Sequence, residues 1–127
     1  MKILAVDDEE DTLNFLRDLL TQEGHRVVTM SQGLEAMAAA QVEPFDVVLL
    51  DLMMPGTDGF QVARFLGDSW NASDLPVIVI SCRRDEESKS FVKMFGCVRY
   101  LEKPFQPAEL LEALRDIDSG HREKVAL

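Results

Sequence analysis

Cysteine is scarce in this chain. There are two in 127 residues, Cys82 and Cys97, and their spacing suits no metal site. A disulfide scaffold and a thiolate metal centre are set aside, and a reduced, cytoplasmic protein is the simplest reading. Positive charge is also short. Thirteen Lys and Arg face 23 Asp and Glu, for a net charge of −10. Phosphate backbones need a basic surface, so nucleic acid is not expected as a direct partner. No apolar run approaches the roughly 18 residues that cross a bilayer, so no membrane partner is expected. The N-terminal MKILAVDDEE has one lysine and a very short apolar run that meets acids at once, which is not a signal peptide. Repeats of fixed period, low-complexity tracts and interior linkers are absent. The two histidines, His25 and His121, show no partner pattern and read as surface residues.

What is present is ordinary for one globular domain. Hydrophobic residues make up 46% and charged residues 28%, and 127 residues can bury a core unaided. Apolar runs at Ile3–Val6, Val47–Leu50 and Val77–Ile80 read as buried strands. Arg26–Met30 is a less apolar strand, nearer an edge, and Val98–Leu101 is a short fifth one.

Helical patterns lie between and after these strands. The first places Leu13, Leu16 and Leu20 on one face, with Phe15 and Leu19 beside it and Gly24 as its C-terminal cap. Ser31 would cap a second helix whose inner face holds Leu34, Met37, Ala38 and Val42, with Pro44 beyond its end. A third starts near Asp58, its N-cap, and carries Phe60, Val62, Ala63 and Leu66; the polar loop GDSWNASD follows. A fourth, from about Asp85, would bury Phe91, Met94 and Phe95 and stop at Gly96. The last has Pro107 in its first turn and turns Leu110, Leu111, Leu114 and Ile117 inward. Strand and helix alternate five times. Continuously apolar strands imply a parallel sheet covered on both faces, an α/β domain over residues 1–118. Residues 119–127, SGHREKVAL, read as a frayed tail or the start of a linker.

The chemistry gathers where the strands end. Asp7 and Asp8 follow the first, Asp51 the third, Ser81 the fourth, and Glu102 and Lys103 the fifth. In a parallel sheet those ends share one edge, the edge where open α/β folds bind ligands. Three carboxylates so close would repel unless a cation intervened, and hard oxygens favour Mg²⁺. A carboxylate beside a divalent cation and a lysine can attack phosphorus, and a serine hydroxyl can donate to a phosphoryl oxygen. The expected centre is a phosphoaspartate site.

The ordered set VDDE at 6–9, LLDLMMPGTDG at 49–59, PVIVIS at 76–81 and YLEKPF at 100–105 resembles the receiver domain of bacterial response regulators. The resemblance runs from Ile3 to Ile117. It implies a doubly wound, flavodoxin-like (βα)5 fold with strand order 2-1-3-4-5 and helices on both faces; a member of this family is the standing example of that order. It implies that Asp51 accepts the phosphoryl group. Asp7 and Asp8 would hold Mg²⁺, one directly and one through water, together with Asp51 and the backbone carbonyl of Met53. Ser81 would be the switch hydroxyl, Tyr100 the aromatic that tracks it, and Lys103 the cation that passes from acid to phosphoryl group. Lys103-Pro104 matches the family's cis bond. Arg83, two residues after Ser81, lies on the route to the phosphoryl group, where it would shield the site or pair with an acid. Cys82 and Cys97 stand where the family often has alanine, so both read as small buried hydrophobes. Arg99, Tyr100, Lys89 and Lys93 would make the face of the fourth helix, fifth strand and fifth helix locally basic.

The resulting expectation is a signalling switch, not an enzyme acting on a metabolite. Its partners would be a sensor histidine kinase or phosphotransfer protein, with a possible homodimer through that same face. Several residues also have a simpler use. Asp7, Asp8 and Glu9 would serve to charge a helix start, and Pro55, Gly56 and Gly59 are turn residues. The competing function is a small aspartyl-nucleophile phosphohydrolase, which wants a second acid two places after Asp51, where Met53 stands. A flavodoxin-like cofactor binder would need a phosphate loop after the first strand, where DDEED repels phosphate.

Overall fold

Alternate residues of the central strands feed two separate apolar layers, one on each face of a single sheet. The computed structural model describes residues 1–54, 57–68, 75–95 and 97–119, with the backbone alone at 57, 58, 67 and 68. Five strands, β1 (Lys2–Val6), β2 (Arg26–Met30), β3 (Val47–Leu50), β4 (Val77–Ser81) and β5 (Cys97–Glu102), pair in parallel in the order 2-1-3-4-5. The helices are α1 (Glu10–Gln22), α2 (Gly33–Val42), α3 (Gly59–Asp68), α4 (Glu86–Met94) and α5 (Pro107–Asp118). A short antiparallel ribbon, Met53–Met54 against Thr57–Asp58, stands apart from the sheet. Pro55, Gly56, most of the polar loop before Leu75, Gly96 and the tail after Ser119, including His121, lie outside the described residues.

Leu4, Val6, Val48, Leu50, Val77 and Val79 pack with residues of α2, α3 and α4. Ile3, Ala5, Val47, Leu49, Ile78 and Ile80 pack with α1 and α5 through Leu16, Leu20, Leu110 and Leu114. The runs Ile3–Val6, Val47–Leu50 and Val77–Ile80 of the three central strands are therefore continuously apolar, because both of their faces are covered. Each such valine, leucine or isoleucine side chain contributes about 1.5–3 kcal/mol on burial. β2 is only half-buried, as an edge strand should be. Gly24, at φ +88°, sits just past the end of α1 in the left-handed region that glycine tolerates.

Two helices turn differently from their apolar spacing. In α2 the inward positions are Gly33, Ala36 and Ala39, while Ala38 is exposed and Leu34 and Val42 are 70% and 80% exposed. Its N-cap is Gln32, not Ser31. The segment GLEAMAAAQV is apolar on all sides, so spacing carries no phase; small residues go inward where the helix lies close to its neighbours. In α4 the inward positions are Ser88 and Val92, and Met94 is 78% exposed. Serine is tolerated inside because its hydroxyl donates to Asp85 Oδ2 at 2.7 Å. Asp85 is the N-cap, also accepting the Ser88 N–H at 2.9 Å. Phe91 and Phe95 remain on the outer side, ring to ring. Cys82 is exposed rather than buried, because it lies one residue beyond β4 where the chain has left the sheet. Cys97 is partly buried. His25 is half-buried, with Nδ1 3.1 Å from the N-terminal amine, so it has a partner after all.

Candidate phosphoryl and metal site

β1 and β3 lie side by side, with Val6 opposite Leu50, so Asp7 and Asp51 leave adjacent strands together. The Asp51 N–H still donates to Val6 O at 3.0 Å, which fixes the two chains where the acids begin. Asp7 is 2% exposed and Asp51 4%, whereas Asp8 faces solvent. Oxygens from Asp7, Asp8 and Asp51 lie within 4.8 Å of one another. Each buried acid is oriented by the backbone just after it. Asp7 Oδ1 accepts the Glu9 N–H at 2.9 Å, and Asp51 Oδ1 accepts the Met53 N–H at 3.0 Å. The second oxygens turn to Lys103, whose Nζ is 2.8 Å from Asp7 Oδ2 and 3.4 Å from Asp51 Oδ2.

Lys103 reaches the site because its N–H donates to Ser81 O at 2.9 Å, tying the end of β5 to the end of β4. The Lys103–Pro104 peptide bond is cis. Burial pushes the Lys103 ammonium down, but the hydrogen bond to Asp7 and the charges of Asp7 and Asp51 outweigh it, so the net displacement is upward. Burial pushes the Asp51 carboxyl up to about 6. The Met53 N–H opposes that, Asp7 adds to it, and Lys103 opposes it again. Asp51 therefore carries more proton affinity than an ordinary aspartate because its surroundings are dry and already negative.

Ser81 is fully buried at the end of β4. Its Oγ accepts the Arg83 N–H at 3.1 Å, and the Arg83 carbonyl accepts the Tyr100 hydroxyl at 2.7 Å. Burial raises the Tyr100 hydroxyl above its ordinary value. Arg83 thus joins Ser81 to Tyr100 through its backbone, while its side chain pairs with Asp85 at 3.2 Å. Lys89 pairs with Glu102, and Arg99 Nη2 lies 2.9 Å from Asp116 Oδ2. The face of α4, β5 and α5 is therefore more charge-compensated than its lysines and arginines alone suggest. Glu102 sits at a strand end but turns to Lys89 and Arg84, away from the three aspartates.

Two residues gain a place that their spacing did not reveal. Glu9 Oε1 lies 3.4 Å from Lys103 Nζ, a third acid on the same cation. The run DDEE holds the signal, but only the turn after β1 shows which acid faces the lysine. Gly59 opens α3 directly against the backbone of Leu52, where any Cβ would overlap the Leu52 carbonyl oxygen and Cα. It is a close-approach glycine, beyond the turn role its neighbours suggest. Beside Lys103 a cleft of about 460 Å³ opens to solvent, lined by Glu9, Thr12, Phe15, Pro104 and Phe105 among others.

Three carboxylates are hard oxygen donors, so the residues present fit a hard divalent cation. The family model "Response regulator receiver domain" matches residues 3–115. The chain belongs to this family. It is 35% identical over 119 residues to Protein PilH of Pseudomonas aeruginosa, covering 94% of this receiver and 98% of that protein. It is 41% identical to the transcriptional regulatory protein KdpE of Mycobacterium tuberculosis over 89% of this receiver, but spans only 49% of KdpE. The solved chemotaxis protein CheY4 of Vibrio cholerae superposes with TM-score 0.84 at 32% identity, covering 91% of this receiver and 97% of that chain. The receiver domain of sensor histidine kinase PA1611 from Pseudomonas aeruginosa superposes with TM-score 0.82 at 28% identity, over 92% and 97% of the two chains. That structure has a magnesium ion coordinated in its active-site cleft. Receivers of this family are signalling modules of two-component systems and bind Mg²⁺ at an acidic pocket. Among the described residues no helix is long and apolar enough to cross a membrane.

Proposed function

We propose that this receiver is a phosphorylation-controlled switch whose phosphoacceptor is Asp51. The observation that carries the reading is the position of Lys103 Nζ, held between the second oxygens of Asp7 and Asp51 at the dry end of the sheet. A histidine kinase or phosphotransfer protein in the cytoplasm presents a phosphohistidine. An Asp51 oxygen attacks the phosphorus, the new P–O bond forms as the P–N bond breaks, and the electron pair leaves with the imidazole. Asp7, Asp8, Asp51 and the Met53 carbonyl would hold Mg²⁺, which supplies neutralisation of the carboxylates and of the transferred oxygens. Lys103 moves its hydrogen bonding from the acids to the phosphoryl group, and the Ser81 hydroxyl donates to another phosphoryl oxygen.

Ser81 cannot shift without disturbing the Arg83 N–H that it accepts, and the Arg83 carbonyl holds Tyr100. The chemistry at Asp51 therefore reaches Tyr100 on β5 both from the Ser81 side chain directly and through the Arg83 backbone. This biases two conformations of the α4–β5–α5 face, which binds a partner or a second copy. Arg83 modulates hydrolysis by water, which resets the switch. Residues 1–118 form the receiver unit, with 119–127 as tail or linker. Incubation with Mg²⁺ and a small phosphodonor tests the central step, read by intact mass. Wild type should gain one phosphoryl group and Asp51→Asn none; equal labelling of the variant would place the acceptor elsewhere.

A further inference from the structure

Arg83 is held by more than its backbone. Its guanidinium carbon lies 5.4 Å from the centroid of the Phe60 ring on α3, and its Nε lies 3.2 Å from Asp85, the N-cap of α4. Among the described residues its ion pair is with Asp85, although it stands two residues from Ser81. Phe60 is itself fixed. Its ring meets Phe91 edge-on at 5.4 Å and 81°, and Phe91 meets Phe95 at 5.0 Å. A cation near a dianionic phosphoryl group would ordinarily be drawn to it. Here an aromatic face and a carboxylate compete for that cation.

We propose that Phe60 is a positioning residue for the phosphoryl chemistry, because its ring parks the Arg83 side chain against α4 and keeps it from Asp51. The inference rests on the reading of Asp51 as phosphoacceptor. Phe60 acts only through Arg83; it touches no reacting atom. With the ring removed, the guanidinium is freer to swing to the phosphoryl oxygens, where it covers them against water. A cation–π contact at a half-exposed site changes the balance of parked and released arginine by about two- to fivefold. The acyl phosphate should live longer by a similar factor.

The test is a double-mutant cycle on phosphoryl loss, measured by intact mass after donor removal, with wild type, Phe60→Leu, Arg83→Ala and the double variant. Phe60→Leu should slow loss by about two- to fivefold in the Arg83 background and leave it unchanged in the Arg83→Ala background. An equal effect in both backgrounds would show the ring acting through packing alone and overturn the proposal. So would no effect in either. Side-chain NMR of the unphosphorylated protein is the second measurement. Arg83 protons should be shifted upfield by the Phe60 ring current in wild type and return to ordinary positions in Phe60→Leu. Unshifted protons in wild type would overturn the parking itself. Failure of wild type to label, with the ring-current shift present, would instead count against Asp51 as acceptor.

Discussion

Replacing Asp51 with asparagine should make the metal-free protein more stable at neutral pH. Asp51 is 4% exposed, and burial with the charge of Asp7 lifts its carboxyl from 3.8 to about 6. At about 1.4 kcal/mol per tenfold change in proton affinity, holding it ionised at pH 7 costs the folded state roughly 3 kcal/mol. The favourable pull of Lys103 is already inside that balance. Asparagine keeps an acceptor for the Met53 N–H, and Lys103 keeps Asp7 at 2.8 Å. A gain of about 2–3 kcal/mol should therefore survive, or a rise of about 1–2 M in the urea midpoint. The sign follows from the proton count. Between about 4 and 6 the folded wild type binds more protons than its unfolded chain, so its stability falls as pH rises through that window and levels off above it. The gap between variant and wild type should open across the same window and be small near pH 4. Urea unfolding in a chelating buffer at pH 4, 5, 6 and 7 measures it, and added Mg²⁺ should narrow the gap by stabilising wild type. A variant no more stable at pH 7, or a gap independent of pH, would refute the account of the site as a store of unfavourable charge.

Three further outcomes are expected. Gly59→Ala drives a Cβ into the Leu52 backbone, so it should cost about 1–3 kcal/mol in urea unfolding and weaken Mg²⁺ binding in calorimetric titration by displacing the loop after Asp51. Unchanged stability would mean that the approach of α3 is not tight. Asp8→Asn removes an exposed charge, so stability should stay within about 0.5 kcal/mol while Mg²⁺ affinity falls about tenfold or more; equal affinity would remove Asp8 from the ligand set. Asp85→Ala should lower the urea midpoint at neutral pH. The Asp85 carboxyl is depressed by Ser88, so its contribution is present above pH 4 and fades only as pH falls through its lowered folded value. A variant matching wild type at pH 7 would show that α4 needs no such cap.

The sheet and the strand-end acids were legible because both follow from one constraint. A strand covered on both faces must be apolar throughout, as VVLL and VIVI are, and a polar residue can enter only where the strand stops. Asp7, Asp51 and Ser81 are those first polar residues, Lys103 follows Glu102 just past the end of β5, and parallel pairing brings all four to one edge. Helix phase was less legible where spacing was ambiguous. In α2 alanines surround the axis, and in α4 a capped serine takes an inward place while Phe91 finds Phe60 outside. The ribbon at 53–54 and 57–58 is two residues long on each side, too short for any period. The Glu9–Lys103 and Arg83–Phe60 contacts depend on turns after β1 and β4, and turn geometry places side chains that no strand or helix period orders.

The proposed switch is also affordable in energy. Two hydrogen bonds, Ser81 Oγ with the Arg83 N–H and the Arg83 carbonyl with Tyr100, couple the site to β5. Net, such neutral bonds contribute about 0.5–1.5 kcal/mol each, whereas bonds to a charged group contribute about 1.5–3. Lys103 gives up its bonds to Asp7 and Asp51 as it takes the phosphoryl group, so that exchange is near neutral, and the new Ser81 bond, about 1.5–3 kcal/mol, stands against disturbed bonds worth about 1–3 kcal/mol. The balance lies within about 2 kcal/mol of zero, below the roughly 5.5 kcal/mol that carries a two-state equilibrium from 1:99 to 99:1, so the phosphoryl group biases the two conformations without locking either. Larger coupling bonds would lock the loop against the phosphoryl group.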